Sequence, residues 1–275
     1  MDVKLIAMDL DGTALQPDHV TISPRLRAAL ETAHSRGIQI VPVTGRPYKL
    51  LPPVLEANPA WKRYGILCNG GQIRNLCTGE ILYSLMISQQ DLQSLVKLAQ
   101  AFEIPMEFSA DSRQYLTQRD WQAQQGQPGM AFHCGTILPK SGVVVESLLP
   151  LCTDSHYPVE KVNLNCIPDE LRGKVEKALG RMAVSAVWSS PTCMEITHKN
   201  ATKGVALKRL CRMLGIPVEQ ALALGDSGND LSMLQMAGVG VAMGNSPEAL
   251  QQAADAVTKS NEEDGAAIAI ERFAL

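Results

Sequence analysis

The chain has 275 residues, 45% hydrophobic and 19% charged, with a formal net charge of −3, so it is long enough for two compact units and carries no charge excess that would mark nucleic acid or an anionic membrane as its main partner. No run approaches the roughly eighteen apolar residues of a spanning helix, and acids interrupt the N-terminal apolar stretch before a leader pattern forms, so a soluble, cytoplasmic protein is expected. The seven scattered cysteines form no C-x-x-C pair, which suits a reducing compartment, and His133, Cys134, Cys152 and His156 match no standard zinc-ligand spacing.

In chain order, Val3-Lys4-Leu5-Ile6-Ala7-Met8 is a short apolar run that predicts a buried strand delivering Asp9-Leu10-Asp11-Gly12-Thr13 to a loop. Alternate residues of an extended chain share a face, so Asp9 and Asp11 can reach one site while Leu10 points away. Two acids this close repel and call for a cation or a shared proton, although a Gly-capped strand end with solvated acids has the same local pattern. Ser23-Pro24 caps a helix carrying Leu26, Leu30 and Ala33 on one side and ending at Gly37. Ile38–Val43 predicts a second strand, Pro47 opens a helix expected to run to about Asn58, and Tyr64–Cys68 predicts a third strand ending in Asn69-Gly70-Gly71. This strand–helix alternation predicts a Rossmann-like α/β core with a parallel sheet.

Residues 85–191 differ: they are richer in Gln and Pro, and Lys161–Cys166 alternates apolar with polar as a one-sided antiparallel strand should. An inserted α/β cap domain is therefore expected there, with the core formed by residues 1–84 and 192–275. The last third resumes the core rhythm. Met194–Thr197 is expected as a short strand, Thr202–Leu214 as a helix ended by Gly215, and Ala221–Leu224 as a buried strand leading into Gly225-Asp226. A helix from about Asp230, a strand Val239–Ala242, a helix opened by Ser246-Pro247, a strand around Ala256–Thr258 and a closing helix after Asp264-Gly265 complete the series.

Ligands of parallel sheets bind at the carboxyl ends of the strands, so Asp9 and Asp11, Thr44-Gly45-Arg46, Asn69-Gly70-Gly71 and Gly225–Asp230 should converge, with Lys203 at the start of the preceding helix. Such a set suits phosphoryl transfer. Thr44 offers a hydroxyl, Gly45 a backbone N–H and Lys203 an ammonium to phosphate oxygens. Mg²⁺ would relieve the repulsion between a carboxylate and a phosphate, held by Asp9, Asp226 and a backbone oxygen of Asp11. Taken singly, Thr44-Gly45 is an ordinary turn, Lys203 a solvated helix residue and Gly225–Asp230 a capped helix start; their ordered joint occurrence is the signal.

These four segments resemble the ordered motifs of the haloacid dehalogenase superfamily of phosphatases. The insertion between the second and third motifs resembles the cap of its Cof-like branch, and Val257–Gly265 is similar to the ends of bacterial sugar phosphatases in that branch. The resemblance implies Asp9 as the nucleophile forming an aspartyl-phosphate and Asp11 as the acid, then base, with a raised pKa. It further implies that the Leu10 N–H, Thr44, Gly45, Lys203 and Asn229 hold the phosphoryl oxygens. Asp226 would complete the Mg²⁺ site, and Asp230 would steer Lys203 or a metal-bound water from behind; Arg46 is open to binding substrate or pairing with a core acid near the site, and Asn69-Gly70 to shaping the pocket wall or serving only as a turn. Ala14, where the family often has a larger apolar residue, should affect packing alone. The implied substrate is a small phosphorylated metabolite, a sugar phosphate first, with a phosphosugar mutase, a phosphatase of a phosphorylated cofactor or nucleotide, and a non-enzymatic phosphometabolite sensor as alternatives.

Overall fold

The computed structural model describes residues 2–57, 59–61 and 63–275. Two units are distinguishable by their internal contacts: Met1–Arg46, Leu51–Ser84 and Ala201–Leu275 form the first, and Pro47–Leu50 with Leu85–Asn200 the second.

The first unit is built on a five-stranded parallel sheet in the order Ala256–Val257, Val239–Ala242, Ala221–Gly225, Leu5–Met8, Gln39–Pro42. All four residues of Leu5–Met8 are fully buried, and their period-two alternation serves two apolar layers. Ile6 and Met8 pack with Leu26, Leu30, Leu222 and Ile270, while Leu5 and Ala7 pack with Val41, Leu207, Leu210 and Ala223. The Pro24–Ser35 helix begins as expected, with the Ser23 hydroxyl accepting from the Leu26 N–H and Pro24 in the first helical turn. Ala14 is buried in the first of the two layers. Because the chain leaves Leu5–Met8 toward Gln39–Pro42 on one side and returns on the other at Ala221–Gly225, the strand order reverses at the first strand, where an open parallel sheet forms a crevice.

Several expected elements take a different form. The helix expected from Pro47 to about Asn58 is a turn at Tyr48–Leu50 followed by a short helix, Pro53–Ala57; Pro52-Pro53 withdraws the N–H groups a continuous helix needs, and Asn58 lies outside the described residues. Tyr64–Leu67 touches the parallel sheet through the Val43–Ile66 bridge and otherwise opens an antiparallel three-stranded sheet with Gln72–Asn75 and Ile81–Ser84. The helix expected near Asp230 is the single turn Leu231–Leu234.

The second unit holds a six-stranded sheet ordered Val184–Ser190, Cys193–His198, Val159–Leu164, Met106–Ala110, Arg113–Thr117, Gly142–Val145. Met194–Thr197, expected in the core after a boundary at 191, pairs antiparallel with both Val159–Leu164 and Val184–Ser190, so the division between units falls at 200. A strand's alternation shows that it is a strand and not which sheet takes it. The one-sided exposure expected of Lys161–Cys166 is also replaced, since Val159–Leu164 is buried along its whole length. Val162 and Leu164 enter the apolar cluster, whereas Lys161 pairs with Glu195 at 2.5 Å and Asn163 lies beside Glu107.

Glu107 is the fully buried centre of this polar face. Its carboxyl oxygens lie 2.8 and 3.0 Å from His133 Nε2, and Oε1 accepts from Asn165 Nδ2 at 3.2 Å, while that Asn165 amide also donates to Gln124 Oε1 at 2.9 Å. Removing the shared acceptor strands buried donors, so Glu107→Ala is expected to lower stability by about 2–3 kcal/mol in urea unfolding; a loss below about 0.5 kcal/mol would show that the carboxyl is dispensable.

Candidate active site

Four segments meet at the carboxyl ends of the parallel strands. Asp9 follows Leu5–Met8 directly, and its N–H donates to the Leu224 carbonyl of the neighbouring strand, which fixes its height beside Asp226. Lys203, the first residue of the Lys203–Leu214 helix, is fully buried, and its Nζ lies 2.9 Å from Asp9 Oδ1 and 2.6 Å from Asp230 Oδ1. The helix start is set by Thr202, whose hydroxyl accepts from the Val205 N–H. Asp230 Oδ2 accepts from the backbone N–H groups of Asp226 and Ser227, both at 3.0 Å, so that carboxylate shapes the loop and anchors the lysine at once.

Two glycines allow this crowding. A Cβ on Gly12, at φ +73°, would lie 2.4 Å from Asp226 Oδ2, and one on Gly225 would lie 2.4 Å from Asp230. Thr13 Oγ1 donates to Asp226 Oδ1 at 2.8 Å, joining the first motif to the last across 213 residues of chain.

The charges do not balance. One carboxylate oxygen from each of Asp9, Asp226 and Asp230 lies within 4.8 Å of the other two. Ionised together, the three carboxylates would exceed the Lys203 ammonium by two negative charges. Burial, with Asp230 and Asp226 beside it, holds the Asp9 carboxyl well above the ordinary value despite Lys203. Burial and then Asp230 push Asp226 up to about 6, against Thr13 and Lys203. Burial lowers the tendency of Lys203 to hold its proton, but Asp230 and Asp9 outweigh it and keep the ammonium charged. Asp230 is spent on Lys203 and the two amides, so the carboxylates open to a divalent cation are Asp9 and Asp226, and a hard dication fits both the oxygen donors and the charge deficit.

Asp11 departs from expectation. Its carboxyl is gripped by Arg46 through Nε to Oδ2 at 2.8 Å and Nη2 to Oδ1 at 2.6 Å, with His19 Nδ1 2.8 Å from Oδ1. Burial raises this carboxyl, but the Arg46 hydrogen bonds and charge, joined by His19, outweigh it and hold Asp11 below the ordinary value, where a raised pKa was expected. Proximity to Asp9 was the visible signal; of the two readings open for Arg46, the structure shows the pairing with a core acid, here Asp11.

Thr44 is buried, and its hydroxyl accepts from the Arg46 N–H at 3.1 Å, with Gly45 between them at the bend. The Leu10 side chain is buried in the apolar layer, as its place between two acids requires. Asn229 Oδ1 accepts from the Ser227 hydroxyl at 2.6 Å, and its Nδ2 donates to Asn69 Oδ1 at 3.0 Å. Asn69, given no catalytic role from sequence, orients Asn229 from a left-handed turn at Cys68–Asn69. Thr13, Ser227 and His19 were also passed over; Thr13 and Ser227 lay inside recognised motifs, whereas His19 had no local signal. Of the second-unit residues, Arg113 and Arg119 are exposed and Trp121 half-buried, while Lys161 is the buried partner of Glu195. No described helix is long and apolar enough to cross a membrane.

The sequence matches the family model described as haloacid dehalogenase-like hydrolase over residues 6–270. A Bacillus subtilis (strain 168) protein named "Putative phosphatase YxeH" is 33% identical over 280 residues, spanning 99% of this chain and 98% of the relative. The 5-amino-6-(5-phospho-D-ribitylamino)uracil phosphatase YcsE of the same organism is 28% identical, spanning 100% of this chain and 97% of its own. Among solved structures, the subclass IIB sugar phosphatase BT4131 superposes with a TM-score of 0.82 at 25% identity, covering 98% of this chain and 99% of its own.

The raised carboxyls carry a stability consequence. Asp226 titrates near 6 when folded and near 4 when unfolded, so between those values the folded chain binds the extra proton, and its stability falls as pH rises through 6. The loss from this group is of order 3 kcal/mol, and Asp9 acts in the same direction; Asp11, lowered, gives the opposite slope only in more acid solution. In EDTA the melting temperature is expected to be lower at pH 7.5 than at pH 5.5, and Mg²⁺ should raise it more at pH 7.5. Equal Mg²⁺ shifts at both pH values would contradict the charge deficit.

Proposed function

Because the chain belongs to the haloacid dehalogenase-like hydrolase family, we propose that it is a Mg²⁺-dependent phosphatase that works through an aspartyl-phosphate on Asp9 and acts on phosphate esters of sugars and related polyols. The carrying observation is the meeting of Asp9, Asp226, Asp230 and the buried Lys203 at one strand end. Pure anion binding gains nothing from such an excess of carboxylates, whereas nucleophilic displacement needs one of them.

Lys203 holds Asp9 through Oδ1; among the described residues no hydrogen bond reaches Oδ2, which is the oxygen assigned to attack. The Asp9 oxygen forms a bond to phosphorus as the ester oxygen leaves with a proton from Asp11. A water then attacks the phosphorus, Asp11 takes its proton, and the Asp9–phosphorus link breaks to release phosphate. Lys203, the Thr44 hydroxyl, the Leu10 and Gly45 N–H groups and the Asn229 amide are assigned to the phosphoryl oxygens. Bound by Asp9, Asp226 and the Asp11 carbonyl, Mg²⁺ would keep Asp9 ionised and offset the charge of the incoming phosphate. Asp230 acts through Lys203 and the 226–227 amides.

The inserted second unit is assigned the role of a cap that selects the leaving group. Support for a polyol ester comes from two similar proteins, the sugar phosphatase BT4131 and YcsE, whose named substrate carries its phosphate on a ribityl chain.

Phosphate release is expected with Mg²⁺ from p-nitrophenyl phosphate and, most efficiently, from a member of a panel of phosphorylated sugars, polyols, nucleotides and cofactors. Asp9→Asn should lower turnover at least about 10⁴-fold while the protein stays folded. Isomerised hexose phosphate without free phosphate would favour a mutase, and full activity in Asp9→Asn would remove the nucleophile assignment.

A further inference from the structure

We infer that Arg46 and His19 form a clasp that positions the Asp11 carboxyl for proton transfer. This rests on the proposed role of Asp11 as acid and base. Arg46, whose side chain is only 14% exposed, places its planar fork across both carboxyl oxygens and fixes the plane as well as the position of the group. The same Nη2 donates to the His19 carbonyl at 3.0 Å, so the two clasp residues are tied to each other.

His19 is presented by a built loop. It adopts a left-handed φ of +58°, uncommon for a side chain with a Cβ. The turn is closed by Gln16 N–H to the Thr21 carbonyl at 2.8 Å and His19 N–H to the Gln16 carbonyl at 2.9 Å. Asp18 accepts from the N–H groups of Val20 and Thr21, both at 2.8 Å, and pins the far side. That conformation brings Nδ1 to Asp11 Oδ1.

The clasp also sorts the two oxygens. Each carboxylate oxygen has about two acceptor positions. Oδ1 uses both, on Arg46 and His19, whereas among the described residues Oδ2 receives only Arg46. Oδ2, with an acceptor position left over, is the atom assigned to pass the proton when Asp11 holds one. It gives that proton to the ester oxygen as the phosphorus–oxygen bond breaks, and the resulting carboxylate is matched by the guanidinium. In the second step Oδ2 takes a proton from the attacking water. Arg46 and His19 touch neither phosphate nor leaving group in this scheme; they act through Asp11.

The test is leaving-group dependence. Phenyl phosphate and p-nitrophenyl phosphate are alike in shape, but only the poorer leaving group of the first needs strong protonation, and kcat/KM reports steps through transfer to Asp9. In Asp11→Asn the ratio of kcat/KM for phenyl over p-nitrophenyl phosphate is expected to fall at least about tenfold. Arg46→Lys, which keeps the charge but loses the fork, and His19→Ala should each lower the same ratio at least about threefold, with far-UV circular dichroism confirming the fold. If Arg46→Lys fails to fold, His19→Ala, on a ring 42% exposed, carries the test. A lowered ratio in Asp11→Asn with wild-type ratios in both clasp variants would overturn the clasp and leave Asp11 in its role. A wild-type ratio in Asp11→Asn would overturn that role and the clasp with it.

Discussion

The Lys203 ammonium is the contact on which the polar architecture of the first unit depends, because it sits without solvent between two carboxylates that would otherwise repel across a buried space. Taking a lysine out of water costs several kcal/mol, recovered only when its partners are close and themselves fully hydrogen-bonded. Asp230 meets that condition by accepting from two loop amides, whereas Asp9 meets it through Oδ1 alone, at the end of a strand whose four residues are all fully buried. The glycines at 12 and 225 follow from the same demand, since side chains there would push the acids apart. Even so the ammonium neutralises only part of the cluster, and the deficit that remains is what gives the place its appetite for a dication.

Two aspartates separated by one residue end in opposite electrostatic surroundings. Asp9 sees burial and other acids and is held up; Asp11, on the neighbouring turn, sees a guanidinium and an imidazole and is held down. This division of surroundings runs against the roles proposed for the two groups, since a nucleophile works ionised and an acid protonated: a bound dication would lower Asp9, and an incoming phosphate charge would raise Asp11. Here the division is made by residues from outside the D-x-D-G-T motif: Lys203 and Asp230 on one side, Arg46 and His19 on the other.

Much of the first unit was legible because local signals and global fold agree there. An all-apolar run before two acids, a Ser-Pro helix start and a Gly-Asp strand end each have one physical meaning in a parallel sheet, and their order fixed the meeting of Asp9, Lys203 and Asp226. Legibility failed where partnership rather than conformation was at issue. Met194–Thr197 was read as a strand but given to the wrong sheet, and Lys161 and Asn163 read as solvent-facing because nothing local announces Glu107 and Glu195 across the ladder. The left-handed turn at His19 had no local signal, since tertiary contacts hold it, whereas at Asn69 the Asn-Gly turn was legible and its hold on Asn229 was not. The broken helix after Pro47 was legible in principle: Pro52-Pro53 was in view and underweighted.

The central position of Leu5–Met8 bears on how the molecule is made. This segment leaves the ribosome long before Ala221–Gly225, which alone completes one of its two edges. Until then a wholly apolar ribbon has an open hydrogen-bonding margin, the kind of surface that aggregates unless a chaperone or rapid collapse hides it. Asp9 meanwhile waits without Lys203, so premature termination anywhere before residue 203 leaves a sticky fragment that lacks the buried ammonium of the polar cluster.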